Sequence, residues 1–282
     1  MNAIPFTKMH GLGNDFVVLD ARDGKLVIGP EEARAIGDRR TGVGFDQLLI
    51  LEPARDEMAD VFMRIRNPDG SEAGACGNGT RCVAAMVMDE SGADHLVIET
   101  IAGLLDAEAT SDGRVCVDMG PARLDWREVP ISDAVDTLHI PVASGPLSDA
   151  VGVNMGNPHA VFFVEDVAKV DLAIHGPILE NHAQFPDRAN IGVVQIIDDS
   201  HIRYRVWERG AGITRACGSG ACAAAVAAHR RGLTGREVSV RLDGGVLDIN
   251  WMPDGHVMMT GPVATSFSGL LSPDMFARSV AA

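Results

Sequence analysis

The chain has 282 residues, 46% hydrophobic and 22% charged, the length of two ordinary domains and the proportions of a globular protein that folds without disulfide or metal staples. A net charge of −15 argues against nucleic acid or an anionic membrane as partner, while a local pocket of amides could still take a small anion. Five cysteines, an odd number, do not make a secreted disulfide framework. With no signal-type apolar run at the N-terminus and no stretch near membrane-span length, a cytoplasmic location with reduced thiols is expected.

His10-Gly11-Leu12-Gly13-Asn14-Asp15 is a glycine turn ahead of an apolar strand over 16–19. The strand follows the glycines instead of preceding them, which excludes a dinucleotide fingerprint. Residues 30–36, with Glu31 and Glu32 in the first turn, predict a short helix. A second glycine turn over 41–47 leads into a strand over 48–51. Residues 61–66 alternate and stop at Asn67-Pro68-Asp69-Gly70-Ser71, a strong turn signal. Ala75-Cys76-Gly77-Asn78-Gly79 then opens a small-residue helix over 80–88, with Asn78 as the expected cap and Gly92 as the stop. Short strands follow over 97–100, 104–109 and 115–119, and residues 121–130 read as the domain boundary.

The second half repeats the plan. Gly156-Asn157-Pro158-His159 precedes a strand over 160–164, residues 171–180 predict a short helix, and Asn190 precedes a strand over 191–197. Residues 202–207 alternate and end at Glu208-Arg209-Gly210-Ala211-Gly212. Ala216-Cys217-Gly218-Ser219-Gly220 opens a second alanine-rich helix, with Ser219 as the expected cap and Gly232 as the stop. Strands over 238–242, 246–251 and 257–260 close the half. Cys76 and Cys217 stand 141 positions apart, half the chain length, which points to a duplicated unit. Both helices are apolar almost all round and therefore expected to be buried on every face. The fold class expected is α+β: two domains, each a sheet wrapped round a central helix, with the active site between them.

A cysteine at a helix N-terminus gains thiolate character, and flanking glycines let N–H groups approach an anion. A tight helix start with a merely buried cysteine has the same local pattern; the duplication of Cys-Gly-polar-Gly is what favours chemistry. Two such thiols suit a two-base proton transfer, one removing a proton and the other delivering one. No lysine motif or metal-ligand spacing supplies an electron sink, so helix-terminal N–H groups would have to stabilise the carbanion. Cys82 and Cys222 lie about a turn and a half into their helices, where packing is the simpler reading, and Cys116 sits within a strand.

The motifs HGLGNDF at 10–16, GFDQLL at 44–49, NPDGSEAGACGNGTRC at 67–82, MGNPHAV at 155–161 and ERGAGITRACGSGACA at 208–223 make the chain resemble the diaminopimelate epimerases over nearly its whole length. The resemblance implies a cofactor- and metal-independent enzyme that interconverts LL- and meso-diaminopimelate for lysine and cell-wall synthesis. It implies Cys76 and Cys217 as the two bases, with His159 and Glu208 tuning them. Gly77, Asn78, Gly218 and Ser219 match the turns that bind the reacting carboxylate; Asn14, Gln47, Asn67, Asn157, Asn190, Glu208 and Arg209 match substrate-binding positions. It further implies two pseudo-symmetric halves, 1–120 and 121–265, each a curled, mostly antiparallel sheet round its helix, with a tail over 266–282 returning to the first half, and a homodimer. Two positions depart from the family pattern, Ile213 where glutamate is usual and Pro68 where alanine is common; neither is a position assigned to chemistry. The alternatives from the residues alone are a proline or hydroxyproline racemase, a thiol redox protein cycling Cys76 and Cys217, and a carboxylate-binding protein without turnover. Arg209 with Asn67, Asn157 and Asn190 favours a substrate charged at both ends.

Overall fold

The computed structural model describes residues 3–74 and 76–277. These fall into two units, one running from the first described residues to Val117 and resuming at Pro262, the other running from Asp118 to Gly261. Each holds one long helix against mixed, largely antiparallel strands, an α+β architecture.

In the first unit β1 (Ile4–Gly11) turns through Leu12 and Gly13, both at positive φ, into antiparallel β2 (Asn14–Asp20). β2 runs parallel to β3 (Gln47–Glu52), which demands a crossover, and α1 (Pro30–Gly37) lies within it. Leu48, Leu49, Ile50 and Leu51 are all buried. Leu48 and Ile50 pack with Ala33 and Ile36 of α1, while Leu49 approaches Gly79 on the opposite face, its methyls 3.1–3.2 Å from where a Cβ would sit. A strand covered on both faces gives a continuous apolar run in place of alternation. β4 (Val61–Arg66) pairs antiparallel with β3 and with the two-residue β5 (Glu72–Ala73), and parallel with β6 (His95–Thr100). The long helix α2 (Gly77–Ser91) joins β5 to β6 and stops at Gly92, whose φ of 72° suits a residue without a Cβ. β7 (Gly103–Ala109) and β8 (Val115–Pro121) follow as antiparallel neighbours.

The second unit repeats this order. β9 (Ile140–Ser144), β10 (Leu147–Asn154) and β11 (Pro158–Phe163) form an antiparallel meander. β11 runs parallel to β12 (Asn190–Ile196), with α3 (Leu172–Glu180) in the crossover, its N-terminus capped by Asp171. β13 (His201–Glu208) pairs with β12, with the two-residue β14 (Gly212–Ile213) and, in parallel, with β15 (Glu237–Arg241). α4 (Gly218–Arg230) joins β14 to β15, and β16 (Val246–Trp251) and β17 (His256–Gly261) complete the unit. Every residue from Ala221 to Ala228 is buried, so α4 is the all-round apolar helix its composition predicts. β18 (Ala264–Leu271) belongs to the first unit, antiparallel to β1 from Ile4↔Leu271 to His10↔Ala264.

The sequence signals neither β1, β9, β10 nor β18. β1 carries Pro5 and a buried Lys8, and β18 leaves most of its side chains exposed, so neither shows the alternation of a half-buried strand. The end of the tail expected to return to the first half, beyond residue 277, lies outside the described residues, as does Ala75 of the first cysteine motif. Among the described residues no helix is long and apolar enough to cross a membrane.

Candidate active site

The helix caps differ from those expected. Asn78 and Ser219 are the better cap formers by residue type, yet the N-cap of α2 is Cys76 and that of α4 is Cys217, with Asn78 and Ser219 inside the first turn. Both cysteines have extended backbones, φ −152° and ψ 101° at Cys76, φ −119° and ψ 108° at Cys217. A side chain at the N-cap meets the unpaired N–H groups of the first turn, and the amide of Gly79 donates to Cys76 Sγ at 3.4 Å. The duplicated turn therefore puts each sulfur, not the following polar side chain, at the positive end of its helix.

Around Cys76 the carboxamides form a chain. Arg81 Nη2 donates to Asn78 Oδ1 at 3.0 Å, Asn78 Nδ2 to Asn14 Oδ1 at 3.1 Å, and Asn14 Nδ2 to Asp46 Oδ2 at 3.0 Å. Gln47 Nε2 donates to Asn67 Oδ1 at 3.3 Å, and Asn67 Nδ2 to Ser71 Oγ at 3.1 Å. An amide whose oxygen and nitrogen are both engaged has a fixed face, so Asn14, Asn67 and Asn78 are oriented before any ligand arrives. Gly77 is the first residue of α2 and half-buried.

Around Cys217 the environment is tighter. Cys217 is 4% exposed, and its Sγ lies 3.7 Å from Ser219 Oγ. Burial, and next the Glu208 carboxylate beside it, push its thiol well above the ordinary range, against smaller opposite effects of Ser219 and the Gly220 amide. Ser219 Oγ is also 3.1 Å from His159 Nε2, itself 2.9 Å from Asn157 Oδ1. That oxygen only accepts, so Nε2 carries the hydrogen. Full burial, and then the positive charge of Arg209, hold the His159 imidazole neutral down to a pKa of about 3. Glu208 Oε1 accepts from the Thr214 hydroxyl.

The register explains why these residues meet. His159 opposes Asn190 at the start of the parallel β11–β12 pair, the place Phe16 and Gln47 take in β2–β3. Asn190 is buried with both ends of its amide on backbone: Nδ2 donates to Pro158 O and Oδ1 accepts from Arg209 N, each at 2.9 Å. Arg209 is exposed, one guanidinium nitrogen donating to Asp187 O at 2.9 Å. Thus the first unit gathers Asn14, Gln47, Asn67, Cys76, Gly77 and Asn78, and the second gathers Asn157, His159, Asn190, Glu208, Arg209, Cys217, Gly218 and Ser219.

Two residues that hold these sets carry little signal in the sequence. Glu180, at the end of α3 and 5% exposed, accepts from Trp207 Nε1 at 2.6 Å, Gly210 N at 3.0 Å and Arg188 Nη1 at 3.1 Å, clamping the turn that carries Arg209. At a helix end it reads as a surface charge. Arg81 is fully buried in α2; the signal available was a cation inside an otherwise apolar helix, which burial tolerates only with partners. One trio of metal-donor type occurs among the described residues, His95, Asp106 and Glu108, with donor atoms within 4.8 Å of one another. It is exposed on β6 and β7 and shares no residue with either set.

A sequence profile described as diaminopimelate epimerase matches residues 6–124 and 151–266. The chain belongs to the diaminopimelate epimerase family. A diaminopimelate epimerase of Rhodospirillum centenum is 62% identical over 275 residues, 98% of this chain and 94% of that protein. One of Acidiphilium cryptum is 54% identical over 275 residues, 98% and 99% of the two chains. Among solved structures, a probable proline racemase from Agrobacterium radiobacter aligns with a TM-score of 0.70 at 18% identity, covering 96% of this chain and 93% of that one. A Bacillus anthracis protein of the PhzF phenazine-biosynthesis family aligns at 0.68 and 18%, covering 96% and 100%. At that identity the likeness is one of fold, and it matches the α+β reading of the sequence. The family expected from the motifs is the one found.

Proposed function

We propose that the chain interconverts LL- and meso-diaminopimelate by a two-base proton transfer without a cofactor, as an isomerase of lysine and cell-wall precursor synthesis. The observation that carries this is the pair of cysteines at the N-caps of α2 and α4, each sulfur at the positive end of its helix. One thiolate takes the α-proton while the other thiol gives one to the opposite face, and N–H groups of the Gly77-Asn78 and Gly218-Ser219 turns receive the charge developing on the carboxylate. In this reading Glu208 and His159 act on Cys217, Glu208 directly and His159 through Ser219. Asn14, Gln47, Asn67, Asn157, Asn190 and Arg209 hold the two amino-acid heads. Arg209 is the residue that separates this reading from a proline-type racemase, whose substrate has no distal carboxylate to clamp. A homodimeric state and a cytoplasmic location belong to the same proposal.

The test is incubation of the purified chain with LL-diaminopimelate in deuterated water, followed by NMR at the α-carbon. Deuterium should enter at one α-carbon as meso product forms, with proline left unexchanged. Exchange of proline, or no exchange of diaminopimelate under full reduction, overturns the proposal.

A further inference from the structure

Tyr204 is fully buried on β13, and its hydroxyl has no hydrogen-bond partner. An orphaned buried hydroxyl is destabilising, by about 1–3 kcal/mol in mutational series, so its position needs a reason. Tyr204 shares a face of β13 with Val206 and Glu208, the alternate positions of the strand. The aromatic ring fits because position 192 is glycine: a Cβ there would come 2.8 Å from Tyr204 Cε2. The hydroxyl ends at the first turn of α4, where a Cβ on Gly220 would overlap it and would also lie 3.2 Å from Cys217 Sγ. Two glycines on separate elements thus leave the space that brings a phenol to the back of a thiol.

Cys217 sits where thiolate formation is opposed, by burial and by the Glu208 carboxylate. In a two-base cycle it must nevertheless lose its proton once in every turnover. We infer that Tyr204 is a positioning residue for Cys217: its hydroxyl donates a hydrogen bond to the sulfur whenever Cys217 is a thiolate. Tyr204 keeps its own proton throughout, so the step adds no proton or electron to the reaction. The thiolate accepts the α-proton, becomes a thiol and releases the hydrogen bond. Burial, and next the nearby cysteine, keep the phenol protonated far above neutral pH. Beyond the pair itself, the titratable groups facing it are Cys222 from α4, Glu208 from β13 and, through Ser219, the neutral His159 from β11; β12 presents the uncharged Val194 and Gly192. By the 141-residue repeat the first unit has Met63 here, buried and without a donor. The arrangement serves Cys217 alone.

This inference rests on the two-thiol reading, and the experiment separates the two. Tyr204→Phe removes the hydroxyl and keeps the ring. The expected result is about a tenfold fall in kcat/KM, the scale of one lost hydrogen bond to a charged group. One limb of the pH profile should move upward while KM stays within twofold, and the Tm should be unchanged or higher. The 13Cβ resonance of Cys217 should start its alkaline titration at higher pH than in the parent. A variant with the parent's pH profile and thiol titration overturns the inference, and so does one that only loses Tm. If Cys217→Ala keeps full activity, the two-thiol reading falls, whereas a titration shift in Tyr204→Phe would still stand by itself.

Discussion

Cys76 and Cys217 hold the same place on the same kind of helix, yet their surroundings differ. Cys76 is half-buried, accepts from the Gly79 amide, and is followed by carboxamides linked to Arg81 and Asp46. Cys217 is sealed, faces a carboxylate, and is reached by a neutral imidazole through Ser219. The pairing order and a cysteine at the N-cap are shared between the units, but Cys76 Sγ accepts a cap hydrogen bond that Cys217 Sγ does not, and by the 141-residue repeat Asn67 and Asn78 stand where the second unit has Glu208 and Ser219. Two-base chemistry needs one partner that begins with a proton and one that begins without. The second environment favours the proton-bearing form of Cys217, so in the proposed reaction a duplicated backbone device would be given unequal roles by the residues around it.

The largest effect should come from the sulfurs. Cys76→Ala and Cys217→Ala should each lower kcat by about 10²- to 10⁴-fold, with Cys82→Ala, Cys116→Ala and Cys222→Ala close to the parent. Burial pushes the Cys82 thiol up to about 12, so it is no base near neutrality. Comparable activity in either of the first two would break the comparison at its root. Arg209 sharpens it further, because the repeat puts Pro68 at its counterpart in the first unit. If bound substrate desolvates its clamp as proposed, Arg209→Leu should lose about 2–5 kcal/mol of transition-state stabilisation, the usual consequence of truncating one partner of a buried hydrogen-bonded charge pair. The loss should show for diaminopimelate kcat/KM with the cysteines still titratable, and parent-like kinetics would hand the substrate to a one-headed amino acid.

The third test is of pH. His159 has a folded pKa of about 3, below its ordinary 6.5, so between these values the unfolded chain binds more protons. Stability should rise with pH across that window, being fully present above 6.5 and lost as pH falls toward 3. A tenfold difference in proton affinity between the folded and unfolded chain corresponds to about 1.4 kcal/mol, so the effect should reach a few kcal/mol. Chemical denaturation of the parent and of His159→Gln at pH 4.5 and 7.5, chosen as roughly the middle and the top of the window, should show the steeper dependence in the parent. Equal slopes would remove the neutral, buried histidine from the account.

The smallest effect compares two glycines. Gly220→Ala drives a methyl into the Tyr204 hydroxyl, an overpacking expected to destabilise by about 1–3 kcal/mol. Gly79→Ala meets the ends of Leu49 at 3.1–3.2 Å, a milder approach than the overlap at Tyr204, so the gain in helix propensity should offset the strain to within about 1 kcal/mol. Thermal melts that rank the two in the opposite order would show that the turns are not packed as unequally as their neighbours suggest.

Much of this was readable before the structure. Cys-Gly-polar-Gly marks both helix starts because only small residues fit where N–H groups must be exposed, and Gly92 marks a left-handed stop. The caps are not legible, because Asn78 and Ser219 have the stronger intrinsic preference while the extended backbone at Cys76 and Cys217 makes the cysteines the N-caps. Tyr204 looked like one more apolar position in an alternating strand, since what singles it out is a glycine on another strand and a glycine on a helix. Glu180 was invisible for a similar reason: its three donors come from residues 188, 207 and 210. Local pattern reports the element a residue belongs to, and partners distant in sequence decide what it does there.

The pairing of β18 with β1 has a consequence for how the molecule is made. The second unit is one continuous stretch and has everything it needs once residue 261 has left the ribosome, whereas the first is interrupted by it. On the side later taken by β18, the N–H and C=O groups of β1 wait while some 250 further residues are synthesised, a delay on the order of tens of seconds at roughly 5–20 residues per second. A strand edge open for that long is a template for pairing with neighbouring nascent chains. The half synthesised first is therefore the last to close, and the vulnerable interval in the life of this protein falls before its final strand emerges.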